Sequence, residues 1–224
     1  RGRALGVYFL CHRRYLSLAN KMFEYAKFAV WQIYRIMKIP AKIAVNKKQE
    51  LILRRFTLND ADELAQVANY SEIAIHLRDS FPYPYYRKDA VGWLEYLEAG
   101  LEQVWAITLH EKIIGAIGLI PQADVNRYNM ELGYWLTPAY HHQGIMSLVI
   151  PILLDKVWRY SDIHRVYAVV FAENSNSARL LEKCGFIREG HFKASAYKLN
   201  HWVDELVYAT HRPIDKNFEL EEDV

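Results

Sequence analysis

Twice in the second half of the chain an apolar strand-like run passes through a short polar turn straight into a helix, and the two units lie about thirty residues apart. The first is Glu131-Leu132-Gly133-Tyr134-Trp135-Leu136, then Thr137-Pro138-Ala139-Tyr140-His141-His142-Gln143-Gly144, then an apolar helix from Ile145 to Tyr160 that carries Pro151. The second is a valine-rich strand from Arg165 to Phe171, a turn, and a helix from Asn174 to Cys184. Gly185 follows it, the residue that most easily takes the left-handed stop of a helix. The valine-rich run reads as a strand buried on both faces.

The flanking sequence extends this mixed pattern. Leu51 to Phe56 alternates as a strand, and Asn59 is expected to cap the helix that follows, with acids in its first turn. Residues 71–78 read as a short helix and Asp89 to Leu101 as a longer one. Phe81-Pro82-Tyr83-Pro84-Tyr85-Tyr86 cannot lie inside a helix, because each proline removes a donor and clashes with the preceding turn. Val104–Leu109, Ile113–Ile120 and Asn129–Leu136 read as an antiparallel meander with a turn at His110-Glu111-Lys112. Strands near 187–196 and 202–210 complete the domain. With 224 residues, 52% of them hydrophobic, there is ample apolar surface to offset the entropy of ordering one domain.

Residues 1–50 carry eleven Lys or Arg against Glu24 and Glu50, whereas the rest is net acidic. Apolar residues at helical spacing from Leu16 to Met37 predict one helix over 15–38, stopped by Pro40. Charged and polar residues interrupt it, so a spanning helix is not expected. Five readings of this segment stay open: a helix on an anionic membrane surface, packing on the domain, a targeting segment, a variable appendage, or translated sequence upstream of the true start. The chain opens on Arg1-Gly2-Arg3 without an initiator methionine, as a fragment would, and no secretory signal is expected. Cys11 and Cys184 stand far apart with no CxxC, which fits a reducing cytoplasm and gives no zinc site. Three regions are expected: a basic N-terminal extension over 1–48, one domain over 49–213, and an acidic tail over 214–224.

A loop that ends in glycine at a helix start presents free N–H groups beside the positive end of the helix dipole, an arrangement that suits a pyrophosphate. Gly144 is placed to let a phosphate approach the backbone. The second unit adds Asn174-Ser175-Asn176-Ser177, then Glu182-Lys183-Cys184-Gly185-Phe186. Taken together the units resemble motifs A and B of the GNAT N-acetyltransferases. Leu53-Arg54-Arg55, Glu131 to Leu136, Cys184-Gly185-Phe186 and Trp202-Val203-Asp204 resemble the RimL/RimJ-like branch, which acetylates ribosomal-protein N-termini. The likeness covers about 50–213.

The resemblance implies an α/β (α+β) fold: a mixed, mostly antiparallel sheet of about seven strands, splayed between the fourth and fifth, with helices on both faces. It implies acetyl-CoA as acyl donor and no metal. His141, His142, Gln143, Gly144, Ile145 and Met146 fall on the phosphate loop, where His141 replaces the usual Arg or Gln and Met146 a small residue. Tyr134, Trp135 and Leu136 fall on the splayed strand, and Asn174 is implied to meet the pantetheine or hold the gap open, with helix capping as its other reading. Leu181 stands where many relatives carry an acidic tyrosine, and Ser177 is implied in its place as acid or sulfur ligand; helix capping is the other reading of Ser177. Glu131 is a candidate base, or simply a solvent-facing strand carboxylate. Phe81, Tyr83 and Tyr85 are expected to border the acceptor. His141 and His142 lack a third ligand nearby, so a phosphate contact or water is expected rather than metal.

The acceptor is expected to be a primary amine, such as a protein N-terminal α-amine. A small amine (a polyamine or antibiotic) and a non-catalytic acyl-CoA-binding module are the alternatives. The loop over 76–89 mixes Asp79 and Asp89 with Arg78, Arg87 and Lys88, which does not favour polyamines. DNA is not an expected partner of a net-acidic domain, and weak RNA or membrane contact is left to the basic N-terminal segment. A monomer or homodimer fits.

Overall fold

The computed structural model describes residues 40–46, 50–98 and 102–213. The expected helix over 15–38 and the acidic tail lie outside the described residues. One eight-stranded sheet runs through the molecule in the order β1-β2-β3-β4-β5-β6-β8-β7. Its strands are β1 (Lys42–Asn46), β2 (Leu51–Arg55), β3 (Gln103–Leu109), β4 (Lys112–Pro121), β5 (Asn129–Leu136), β6 (Arg165–Phe171), β7 (Ile187–Lys198) and β8 (His201–His211). Every neighbouring pair is antiparallel except β5 and β6.

The sheet therefore has eight strands rather than about seven, and the parallel seam falls between the fifth and sixth. The added strand is β1, which lies inside the stretch read as an extension. Its sequence is short and basic, but Ile43 is buried in the main core and every residue of β2 except Arg55 finds a partner in it. Pro40 also accepts a bond from Trp105 Nε1 at 3.1 Å.

The helices are α1 (Ala61–Ala68), α2 (Ser71–Ala74), α3 (Arg87–Glu98), α4 (Ile145–Tyr160) and α5 (Ser175–Lys183). Among the described residues none is long and apolar enough to cross a membrane. The chain enters α1 through a 3-10 turn, and its cap is not Asn59. Thr57 and Asp60 form a capping box, with Thr57 N–H donating to Asp60 Oδ2 at 2.7 Å. Asp60 also takes both Nη atoms of Arg54 at 2.8 Å, a bidentate pair that binds β2 to the helix entrance.

Two clusters bury the sheet's faces. The larger places Val149, Ile150, Leu153 and Val157 of α4 against Leu53, Ile107, Ile117 and Met130. The smaller joins Leu64 of α1 and Leu94 of α3, with Trp135 packed at its border. The α5 helix ends as expected, with Gly185 at φ 85°. β6 differs from expectation: only Val166 and Ala168 are fully buried, so it is covered on one face.

Candidate active site

Strand β5 is zipped to β4 along its length, from Pro121↔Met130 to Gly115↔Leu136. On its other side it pairs with β6 only at Asn129↔Arg165, Met130↔Val166 and Glu131↔Tyr167. Beyond Glu131 the two strands separate. Gly115 supplies a physical reason: a Cβ there would strike the Trp135 carbonyl oxygen and stand 2.7 Å from Leu136 Cδ2. The bare glycine lets β4 hold the end of β5 tightly, away from β6. Thr137 N–H donates to Ile114 O at 2.8 Å and prolongs that hold.

The parting opens a cavity of about 690 Å³. Leu132 to Leu136 form one wall and Ala168 to Val170 the other, with His141, His142, Gly144, Ile145, Met146 and Ser147 at one end. Gly144 sits at φ 76° as the N-cap of α4, a conformation that costs other residues about 1–2 kcal/mol. Among the described residues, the N–H groups of Gln143 through Ser147 donate to no backbone acceptor outside the helix, which leaves a group of donors at this helix start. His141 packs beneath this turn: the Leu136 carbonyl can only accept, so Nε2 donates to it at 2.8 Å. Gln143 turns back to Ala139 O at 2.7 Å and leaves the cavity wall. Met146 is buried in the core from the first turn of α4 while still bordering the cavity.

Asn174 and Ser177 line the cavity from α5. The cap is Asn174, whose Oδ1 accepts from Ser177 N–H at 3.1 Å. The Ser177 hydroxyl is thus not spent on capping and meets Tyr134 Oη at 2.7 Å. Burial pushes the Tyr134 phenol well up, against the pull of that bond. Leu181 is fully buried in the core.

Side chains alternate along a strand, so Glu131 and Trp135 share the face opposite Tyr134. Glu131 lies outside the cavity wall. Its Oε1 takes Arg78 Nη2 at 2.8 Å, and Tyr167 Oη donates to Oε2 at 3.4 Å. It is therefore an ion-paired carboxylate at the foot of the parting, 18% exposed, and not a free solvent-facing one. The next residue, Asp79, reaches Lys198 Nζ at 2.7 Å, which ties the segment to the end of β7.

The three aromatics expected at the acceptor separate. Phe81 contacts Trp135 with ring centroids 6.0 Å apart, and Tyr83 is exposed. Tyr85 is 4% exposed and belongs to the smaller core, where it stacks on Phe81 at 4.8 Å. Burial, with Asp89 adding to it, pushes its phenol up to about 12. Tyr85 is thus packed into the smaller core, and none of the three lines the cavity between β5 and β6. Sequence reasoning missed the segment from Glu72 to Leu77, which does line it. His76 there is held below the ordinary imidazole range by burial and by His141, against Glu173.

Residues 50–187 match the acetyltransferase (GNAT) domain family. The chain belongs to the GNAT acetyltransferases. It is 24% identical over 163 residues to the uncharacterized N-acetyltransferase YnaD of Bacillus subtilis, covering 72% of this chain and 93% of that protein. It is 25% identical over 123 residues to the ribosomal-protein-serine acetyltransferase of Escherichia coli, covering 55% and 68%. Among solved structures, RimL, a ribosomal α-N-protein acetyltransferase in complex with coenzyme A, superposes with TM-score 0.67 at 22% identity, over 77% of this chain and 97% of that one. A microcin self-immunity acetyltransferase, MccE, in complex with acetyl-CoA and AMP, superposes with TM-score 0.68 at 21% identity, over 78% and 99%. This GNAT chain is accordingly an acetyl-CoA-dependent N-acetyltransferase. Among the described residues no cluster of three or more His, Cys, Asp or Glu is grouped as a metal site would need.

Proposed function

We propose that this N-acetyltransferase acts on the α-amine of a protein N-terminus. The observation that carries the reading is the acceptor side of β5. Glu131 stands there, met by the guanidinium of Arg78, and further along the same strand face Phe81 packs on Trp135. A polyamine carries several cations and calls for several carboxylates. A chain terminus brings one ammonium, and Glu131, whose charge Arg78 already balances, offers no such cluster of carboxylates. The similarity to the Escherichia coli ribosomal-protein-serine acetyltransferase and to RimL supports the same acceptor class.

The chemistry follows from the parts. The diphosphate of acetyl-CoA rests on the N–H groups around Gly144, and its pantetheine arm fills the gap between Leu132–Leu136 and Ala168–Val170. The terminal ammonium first loses one proton to water; the neutral amine's nitrogen then attacks the thioester carbonyl and passes a second proton to Glu131, directly or through water. A backbone N–H between Gly133 and Leu136 donates to the carbonyl oxygen as charge builds there. The C–S bond then breaks, its electron pair goes to sulfur, and the Ser177 hydroxyl donates to the forming thiolate.

Thiol release from acetyl-CoA tests this with a panel: peptides with free N-termini, the same peptides N-terminally blocked, spermidine and an aminoglycoside. Free peptides should turn over and blocked ones should not. Preference for spermidine or the aminoglycoside would move the acceptor to small amines. Tight acetyl-CoA binding without acetylation of any amine would leave only an acyl-CoA-binding module.

A further inference from the structure

Four hydroxyl-bearing side chains line the cavity among the described residues: Tyr134, Tyr140, Ser147 and Ser177. Ser147 lies in the first turn of α4, at the diphosphate end. Tyr134 and Ser177 face each other across the gap, from β5 and from the first turn of α5, with their oxygens 2.7 Å apart. Only one hydrogen can lie between those oxygens. If the serine donates it, the serine has nothing left for a ligand. If the tyrosine donates it, the serine's own hydrogen is free.

We infer that Tyr134 is a positioning residue for acyl transfer: its hydroxyl donates to Ser177 Oγ and thereby aims the serine's O–H at the thioester sulfur. The inference rests on the reading of Ser177 as the sulfur's partner. Three observations carry it. A thioester sulfur accepts and cannot donate, so a serine facing it must be the donor on that side. Asn174 already occupies the Ser177 N–H, so the helix cap makes no demand on the hydroxyl. Leu181, one turn further along α5, is wholly buried and offers no hydroxyl of its own.

Burial of the phenol fits the same role. A tyrosine held above its ordinary range keeps its proton through the working pH and serves as a fixed donor. No proton passes from Tyr134 to the leaving group. The C–S electron pair leaves as a thiolate stabilised by the Ser177 hydrogen bond, and the thiolate takes its proton from water after release.

The test is a double-mutant cycle with acetyl-CoA and the best free-amine peptide of the panel above. Tyr134→Phe keeps the ring and removes the donor. Its kcat should fall about tenfold, the worth of one hydrogen bond to developing charge, with KM for acetyl-CoA unchanged. Ser177→Ala should fall at least as far, and adding Tyr134→Phe to it should cost nothing more. Losses that multiply in the double variant, or a Tyr134→Phe protein with undiminished kcat, would overturn the inference while leaving Ser177 in place. A Ser177→Ala protein with full kcat would overturn the reading of Ser177 and the inference with it. Should Tyr134→Phe fold poorly, 3,5-difluorotyrosine at position 134 keeps both ring and hydroxyl. Its lower phenol pKa should bring the alkaline loss of kcat to lower pH, and an unmoved profile would count against the inference.

Discussion

The two sides of β5 differ although they share one sequence. Toward β4 the strand makes seven consecutive pairs, and toward β6 it makes three before the ladder stops. The zipped side is saturated: its carbonyls and N–H groups are met and Gly115 lets the backbones touch. The parted side leaves Leu132 to Leu136 facing a cavity instead of a strand. The cavity in this sheet therefore comes from withheld pairing, and the close approach at Gly115, on the opposite side of the strand, gives a reason for it.

Gly115→Val attacks that arrangement most directly. The new side chain cannot fit against Trp135 and Leu136, so β5 must move toward β6. We expect a loss of about 3 kcal/mol in urea unfolding together with loss of acetyl-CoA binding by calorimetry. Retained binding would show that the gap does not depend on β4.

Asp60→Ala is the matched change on the zipped half, away from the cavity. It removes the capping box and the Arg54 pair, at a cost of about 2 kcal/mol, with KM for acetyl-CoA unchanged. It also carries a pH signature. Burial pushes the Asp60 carboxyl up, but Arg54 and Thr57 outweigh burial and hold it below its ordinary value of 3.8. The folded pKa is depressed, so its contribution is complete above that value and lost as pH falls through the lower one. Unfolding of the natural chain and the variant should differ most near neutral pH and converge in acid.

Gly144→Val probes the anion end of the parted side. Nothing within 4 Å opposes a Cβ there, so the cost is backbone strain at φ 76° and not a clash. KM for acetyl-CoA should rise about tenfold, since strain of about 1.4 kcal/mol would distort the donor cluster. The smallest effect is expected from the N-terminal segment. Removing residues 1–39 should change neither acetyl-CoA affinity nor melting temperature. Removing 1–49 also takes β1, and melting should then fall.

What could be read from the sequence was local. Gly144, the Asn174 cap, the Gly185 stop and the meander from β3 to β5 each announce themselves within a few residues, through turn chemistry or periodicity. β1 escaped because five residues that are basic at one end show too little period to separate them from the basic segment before them. The Thr57–Asp60 box was hidden by Asn59, a good cap by type in the wrong register. Tyr85 shares a proline-rich run with the exposed Tyr83, and composition cannot tell which ring turns inward. The Tyr134–Ser177 and Arg78–Glu131 contacts join residues 43 and 53 positions apart. Only the folded sheet brings such partners together, so no window along the chain contains the signal.

Arg78 and Asp79 are adjacent, yet one holds the foot of β5 and the other the far end of β7. One step of chain therefore bridges β5 and β7, two strands that are not neighbours in the sheet. Each tie has one exposed partner, Arg78 at 71% and Asp79 at 80%, and one sheltered partner, Glu131 at 18% and Lys198 at 9%, so salt screens them in part. Added salt should therefore slacken both ties at once, whereas a substitution at either strand would slacken only one.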